Sequence, residues 1–408
     1  MERRRGRNTK HREADQTKDA GRAGSIYLRA ASLAAMASGA LIMARPASCL
    51  QASGGCAKSS VLGGCNECAD LQAANVWTAL DESARADLFV AAAKSELLDS
   101  RLQSCGAYMT PAYFRHGDAV IRGAAASADI ETGFMCVVNQ DHLISVATVR
   151  AMLGSELIRL QTLPGSRGDG ITAHSGETLR RRVSEDRALM AVLLLRERSR
   201  SRSRLAPYIH AFLQLPDGVP AGWDGQTPEG AERRSLLKAT SPALLEKADM
   251  LRAVIAQKHA QLVPKALEQL PGVLSEGLPC SVGAAGCGKE ELARYYSVER
   301  FAQVWLAISS RDFVNSLQEK SETPLDGAHP FPTTFLVPLA DLMNHDQSRP
   351  TVEVSYDVHR RGFVLQATRL VREGEELLFS YGSQLCRETS LGRYGFVDSD
   401  MDACPSHG

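Results

Sequence analysis

The 408-residue sequence has no net charge, because 47 Lys and Arg residues balance 47 Asp and Glu residues. A field of one sign would draw a protein toward nucleic acid or anionic lipid, and the chain as a whole has no such field. We therefore expect no direct nucleic-acid binding. Any charge-driven contact must involve a local patch, such as residues 1–29, which hold nine Lys and Arg residues and four acids. Such a basic stretch is typical of a disordered or targeting segment.

The uncharged apolar run of residues 30–44 is too short to cross a bilayer as a helix, which takes about 20 residues. It contains Gly39 and is followed by Arg45 and Pro46, as in the apolar core of a leader. A cleaved leader is therefore a better interpretation than a membrane anchor, and a surface helix is a further alternative. If residues 1–47 form a leader, we expect the protein in an organelle (plastid or mitochondrion) or on the secretory route. Without one, the protein would be cytoplasmic or nuclear.

The ten cysteines lack the spacing of a zinc site. Four of them crowd into one short stretch, but no second close pair and no His pair follows at a finger-like distance: Cys49, Cys56, Cys65 and Cys68. We therefore expect no metal. Cys136 lies in an apolar run and is interpreted as a small buried side chain, whereas Cys280 and Cys287 fall in a predicted loop. Disulfides are compatible with a secretory leader.

Helical and strand-like patterns alternate along the rest of the chain. Residues 71–102 have helical spacing, and residues 118–145 contain short apolar runs separated by glycines, as strands and turns do. Residues 188–195 predict a buried helix that continues into a solvated basic loop at 196–204. Residues 233–269 are predicted to be helical, with boundaries at Pro242 and Pro264.

The last third begins with a capped amphipathic helix. Ser297 is a good N-cap, and the apolar residues after it recur at one helical face: Phe301, Val304, Trp305 and Ile308. Residues 351–381 then alternate as strands do, with a turn at 359–362. The order of strands, helices and strands predicts the α+β class, in which one β-rich domain is interrupted by a mostly helical insertion.

These patterns divide the chain into four parts. We predict a basic and apolar N-terminal segment at 1–47, a linker and helical lead-in at 48–105, the β-rich domain at 106–398 and a short tail at 399–408. The helical insertion takes up about 150–295 of the domain. We expect a monomer.

Four short segments carry the chemical signal, and their order and spacing make them specific: SSRDF at 309–313, LVPLADLMNH at 336–345, EGEELLFSYG at 373–382 and RYGFVD at 393–398. The aromatic residues of the fourth segment are placed to fold back near the Asn344–His345 pair. Taken singly, each residue has a plainer interpretation, since a Tyr at a strand end usually packs and an Asn-His pair is common in turns.

Through these segments, residues 117–398 resemble the SET-domain methyltransferases of the Rubisco large-subunit methyltransferase type, a group that includes the actin histidine methyltransferase. The resemblance implies that Arg311 contacts the carboxylate of S-adenosylmethionine, that Asn344 and His345 hold its methionine and adenosine portions, and that Tyr381 stands beside the transferred methyl group. Gly123, in a Gly-rich segment, would let the backbone approach the cofactor. Asp341 and Phe396 complete the predicted cofactor-binding set, with Asp341 mainly structural.

The chemistry fits these residue types. Methyl transfer from a sulfonium is an in-line displacement, so the protein must align a deprotonated nitrogen with the donor carbon and exclude water. A guanidinium at Arg311 can hold a carboxylate with two parallel hydrogen bonds, and the Tyr381 hydroxyl can orient the acceptor nitrogen as the catalytic group.

We therefore expect an S-adenosylmethionine-dependent methyltransferase that acts on a Lys or His side chain of a protein substrate. The alternative is an inactive SET-fold binding module, which a departure from the family pattern at Asn139 and Gln140 favours. A membrane-tethered scaffold is the third hypothesis.

Overall fold

The computed structural model describes residues 105–404, apart from 106, 117–118, 162–175, 201–202, 204, 206–207, 210–217, 279–286, 315–333, 358, 383–384 and 398–400. The predicted leader, the helix of residues 71–102 and the Cys49–Cys68 cluster lie outside the described residues. Among the helices that are described, none is both long and apolar enough to cross a membrane.

The strands of the described chain form three sheets: β1 (Met109–His116), β2 (Ala119–Ala126), β3 (Gly133–Asn139), β4 (Phe313–Val314), β5 (Thr334–Phe335), β6 (Asn344–His345), β7 (Val352–Asp357), β8 (Gly362–Ala367) and β9 (Glu376–Phe379). One sheet has the order β1-β2-β9-β6, the second β3-β8-β7, and the third pairs β4 with β5. All pairs are antiparallel except β6 with β9, which is parallel. The first sheet thus joins strands from both ends of the described chain.

The helices lie mostly between β3 and β4: α1 (Val146–Leu153), α2 (Ser155–Gln161), α3 (Gly176–Ser199), α4 (Pro228–Thr240), α5 (Pro242–Gln269), α6 (Pro271–Ser275), α7 (Lys289–Tyr295), α8 (Val298–Ser309) and α9 (Arg387–Tyr394). Of the described helices, only α9 follows β9. The predicted α+β class, with helices interrupting a β-rich domain, is confirmed.

The central helices pack as their sequences predict. The Ser297 hydroxyl accepts a hydrogen bond from the backbone N–H of Arg300, which caps α8, and the four apolar residues of its predicted face are all buried. Residues 188–195 of α3 are buried without exception. Full burial of a large apolar side chain stabilises the fold by on the order of 1.5–3 kcal/mol. Helices α3 and α8 therefore contribute a large part of the hydrophobic core of the domain.

Two sequence interpretations were wrong. Pro264 does not end a helix but lies inside α5. The basic run does not begin as a solvated loop, because α3 continues to Ser199 and Arg196 is 1% exposed, bonded to Glu197 and Glu276. A buried charge requires such partners.

Cys136 is buried, as the sequence predicted, and it is disulfide-bonded to Cys105. A second disulfide joins Cys386 to Cys404. Strand β1 was not predicted from the sequence, although it pairs with β2 along its whole length.

Candidate active site

The parallel pairing of β6 with β9 brings two of the sequence motifs together. Asn344 lies opposite Leu378, and His345 lies opposite Phe379, two residues before Tyr381. A short 3-10 turn, Ala340–Leu342, leads into β6 from the same motif. The register of this two-residue strand therefore sets the distance between the Asn-His pair and Tyr381.

The Asn344 side chain is held by two hydrogen bonds. Its amide nitrogen donates to the backbone carbonyl of Arg122 at 2.7 Å and to Oε1 of Glu376 at 2.8 Å. Gly123 leaves the space for this amide, because a Cβ at Gly123 would lie 2.7 Å from the amide nitrogen. The structure thus gives Gly123 a role in seating Asn344, beside its predicted role near a cofactor.

His345 and Tyr381 contact each other directly. The backbone N–H of Tyr381 donates to Nδ1 of His345 at 3.0 Å, which assigns the proton of the neutral imidazole to Nε2. The Tyr381 hydroxyl donates to the backbone carbonyl of Met343 at 2.9 Å. Both ends of Tyr381 are thereby fixed by the segment that carries the Asn-His pair.

An aromatic cluster surrounds Tyr381. Its ring centroid lies 4.7 Å from that of Tyr394, 4.9 Å from Phe379, 5.0 Å from His345 and 6.3 Å from Phe396. Burial raises the pKa of Tyr394. The predicted return of the aromatic residues of RYGFVD to this place is confirmed by geometry for both Phe396 and Tyr394, although Tyr394 was not among the predicted cofactor-binding residues.

Arg311 lies beside a buried acid. Its Nη1 donates to the backbone carbonyl of Asp341 at 2.7 Å, and its buried Nε has no hydrogen-bond partner in the described part of the chain. The Asp341 carboxylate accepts a hydrogen bond from the Tyr208 hydroxyl of the helical insertion. Burial, partly offset by Arg311, raises the pKa of Asp341 to about 6.

Arg122 links this charged group to Asn344, and sequence reasoning missed it. Its carbonyl holds the Asn344 amide, while burial and repulsion by Arg311 lower the pKa of its guanidinium to about 10, so that it stays charged at neutral pH. Two cations therefore face one acid of raised pKa. The only sequence signal for Arg122 was its position next to Gly123.

The structure places all the predicted site residues in one continuous region. Asn344, His345, Tyr381 and Phe396 share contacts through the aromatic cluster and its hydrogen bonds. Gly123 touches Asn344, and the chain from Asp341 to Asn344 connects Arg311 to the cluster. Such a set of two arginines, a polar loop and an aromatic wall can hold a charged small molecule next to a nucleophile.

Comparisons with known proteins identify the family and the fold of the chain. The model of the SET domain matches residues 179–382. Among solved structures, Rubisco LSMT bound to AdoMet is similar over 76% of this chain at 16% identity, with a TM-score of 0.50. Rubisco LSMT bound to sinefungin and monomethyllysine is similar over 76% of this chain at 17% identity, also with a TM-score of 0.50.

These structural likenesses are evidence of fold. The chain covers 57% of the length of each of those two structures. No curated protein sequence matches the chain. The family match spans half of the 408 residues and contains three of the four motifs, from SSRDF to the Tyr381-Gly382 pair. By that match the chain belongs to the SET-domain family and has a fold like that of the Rubisco LSMT structures.

Proposed function

We propose that the protein is an S-adenosylmethionine-dependent protein methyltransferase that acts on the side chain of a Lys or a His. The observation that carries the proposal is the convergence of Arg311, Asn344, His345 and Tyr381 in one region of a SET fold. Single residues of these types have ordinary structural roles, but their joint placement matches a donor site beside an orienting hydroxyl.

The solved structures of similar fold support the chemistry. One of them holds AdoMet, and another holds sinefungin together with monomethyllysine. Lysine is therefore the first acceptor to test, with histidine as the second.

The residues present fit the methyl donor, which carries a carboxylate, an ammonium and a sulfonium. Among the described residues the Nε of Arg311 has no hydrogen-bond partner, so it can donate to the carboxylate, and Arg122 adds positive charge that the buried Asp341 only partly balances. Both N–H groups of the Asn344 amide are engaged, which leaves its oxygen to accept from the ammonium. The site thus offers the carboxylate and the ammonium of the donor a partner of suitable character.

The hydrogen bonding of Tyr381 supports a role in orienting the acceptor nitrogen. Its hydroxyl proton is directed to the Met343 carbonyl, so the hydroxyl oxygen keeps lone pairs that can accept an N–H of the acceptor. When bound, the donor supplies a methyl group on a positively charged sulfur. The nitrogen lone pair forms the new N–C bond as the C–S bond breaks with its electron pair going to sulfur, and a neutral Lys amine needs no base in that step.

The alternative of an inactive binding module rests on Asn139 and Gln140. Asn139 ends β3 opposite Gly362, and the Gln140 backbone N–H donates to the Arg361 carbonyl at 2.7 Å. These contacts belong to the β3–β8 sheet end, so the departure from the family pattern is compatible with an intact donor site. This supports the active enzyme over the binding module.

Labelled methyl transfer tests the proposal. The purified protein is incubated with methyl-labelled donor and a cell extract, and labelled proteins are identified by mass spectrometry with the modified residue assigned. We expect label on Lys or His side chains with the wild-type protein and not with Arg311→Ala. Absence of label, with S-adenosylhomocysteine still bound, would point to the binding module.

We also propose a secretory route for the protein. The disulfides Cys105–Cys136 and Cys386–Cys404 support it, because such bonds persist in oxidising compartments. Residues 1–47 fused to a fluorescent protein should direct it to that route. Import into plastids or mitochondria, or diffuse cytoplasmic fluorescence, would contradict this proposal.

A further inference from the structure

The carboxylate of Asp312 lies between two guanidinium groups from distant parts of the chain. Arg187 of α3 donates from Nε to Oδ2 at 2.6 Å and from Nη2 to Oδ1 at 3.0 Å. Arg393 of α9 donates from Nη2 to Oδ1 at 2.6 Å. The Asp312 side chain has no exposed surface, so removing its charge would leave two partly buried cations without the acid that lies between them.

Arg393 connects this ion cluster to the end of α8. Its Nε donates to the backbone carbonyl of Ser309 at 2.7 Å, and its Nη2 also donates to the carbonyl of Asp312 at 3.1 Å. These carbonyls flank Arg311, the predicted donor-binding residue. One guanidinium thus holds α9 against the SSRDF segment through three separate oxygens.

Tyr394 connects Arg393 to the aromatic cluster around Tyr381. The Arg393 guanidinium lies 5.0 Å from the centroid of the Tyr394 ring, which is 4.7 Å from that of Tyr381 and 6.1 Å from that of Phe396. A displacement of Arg393 would therefore move the two rings that follow it in sequence. Misplacement by about 1 Å in a catalytic site can cost about a hundredfold in rate.

We propose that Asp312 is a positioning residue for methyl transfer, which acts through Arg393 to hold Tyr394 and Phe396 against Tyr381. Its kinetic consequence rests on the proposed function, whereas the placement of Tyr394 can be measured without any activity. Arg187 donates hydrogen bonds to the same carboxylate from the side of α3. Its guanidinium lies 5.1 Å from the centroid of the Trp305 ring, so it also links α3 to α8.

The test compares substitutions on the two sides of the carboxylate. Arg393→Lys and Arg187→Lys both keep the charge and lose the planar fork. Asp312→Asn removes the charge. Its matched control is Glu197→Gln, because Glu197 is also a fully buried acid bonded to two arginines, Arg196 and Arg200, within the helical insertion.

Two readouts are needed, both taken well below the unfolding temperature of each variant. In the first, tyrosine nitration by tetranitromethane is mapped by mass spectrometry. We expect Tyr394 to be nitrated several times faster in Asp312→Asn and Arg393→Lys than in the wild type, and at the wild-type rate in Glu197→Gln and Arg187→Lys. The second readout is kcat. It should fall about tenfold or more in Asp312→Asn and Arg393→Lys, and less than about threefold in Glu197→Gln and Arg187→Lys.

Unchanged Tyr394 nitration in both Asp312→Asn and Arg393→Lys, in folded proteins, would overturn the proposal. Equal loss of kcat in Arg187→Lys and Arg393→Lys would also overturn it, since the cluster would then contribute stability alone. If Asp312→Asn does not fold, Arg393→Lys decides the question. A wild-type protein that transfers no methyl group would contradict the proposed function, and nitration would still decide the placement of Tyr394.

Discussion

The amide nitrogen of Asn344 lies 2.7 Å from the position that a Cβ atom at Gly123 would occupy. No real side-chain carbon tolerates so short a contact, and Oε1 of Glu376 and the Phe114 ring would each lie 3.0 Å away. The glycine at this point of β2 is therefore required by a side chain 221 positions later in the chain, one that the proposed function places on the donor.

Gly123→Ala should displace the Asn344 amide. We expect a loss of unfolding free energy of about 1–3 kcal/mol from overpacking, and weaker binding of S-adenosylhomocysteine. Gly392→Ala is the control, because its Cβ would meet only Leu244 at an ordinary 3.6 Å, and Ala in helix α9 should stabilise by up to about 1 kcal/mol. Equal effects of the two substitutions in chemical denaturation and calorimetry would count against the seating of Asn344 by Gly123.

Tyr381→Phe should lower kcat by about a hundredfold while donor affinity changes little, because the lost hydroxyl acts on the acceptor and the ring still fills the aromatic cluster. Losing the bond to Met343 should cost about 0.5–1.5 kcal/mol of stability. Tyr356→Phe, in β7, is the matched control and should keep wild-type turnover. If Tyr381→Phe turns over at the wild-type rate with the same number of methyl groups added, Tyr381 only packs.

The buried Asp341 should make stability depend on pH in a defined direction. Its folded pKa of about 6 lies above that of an unfolded Asp, about 3.9, so folding favours the protonated form. The stability contributed by this group is complete below about pH 4 and is lost as the pH rises through about 6.

Asp341→Asn removes this titration, and its amide oxygen can still accept from Tyr208. Its stability relative to the wild type should therefore improve between pH 4 and pH 8, by on the order of 2–3 kcal/mol for a shift of about two pKa units. Chemical denaturation at both pH values measures this difference. A difference that does not vary with pH would mean that Asp341 titrates as an exposed acid does.

The two described disulfides should differ in their resistance to dithiol reductants. Cys105 and Cys136 are both buried, whereas Cys386 and Cys404 are half-buried. We expect dithiothreitol to open Cys386–Cys404 first, as mass spectrometry after alkylation would show. Loss of this bond, which closes 18 residues, should lower the unfolding free energy by about 3 kcal/mol, and simultaneous opening of both bonds would contradict the difference in exposure.

Local signals in the sequence predicted the elements that depend on local physics. The cap at Ser297, the buried face of α8 and the pairing of strands β7 and β8 depend on spacings of two to seven residues, and all were confirmed. The alternation of β8 is not complete, because Val364 is buried together with Phe363 and Leu365. The four motifs also predicted residues that lie together in the fold. The parallel pairing of β6 with β9 brings the LVPLADLMNH segment beside the EGEELLFSYG segment.

Long-range partners could not be read from spacing. The bond from Tyr208 to Asp341 joins residues 133 positions apart, and the bond from Arg187 to Asp312 joins residues 125 apart. Arg196 was misread for the same reason, since a charged residue at the end of an apolar helix is usually solvated unless a distant acid such as Glu276 reaches it. Only the folded chain supplies these partners.

Calorimetric titration of the full-length protein with S-adenosylhomocysteine, for the wild type and Arg311→Ala, tests the central claim most directly. The wild type should bind one equivalent, and Arg311→Ala, with its circular dichroism unchanged, should bind at least about tenfold more weakly, because losing a charged hydrogen-bonding group costs about 1.5–3 kcal/mol. No binding by the folded wild type, or equal affinity in the folded variant, would contradict a methyl-donor site at Arg311.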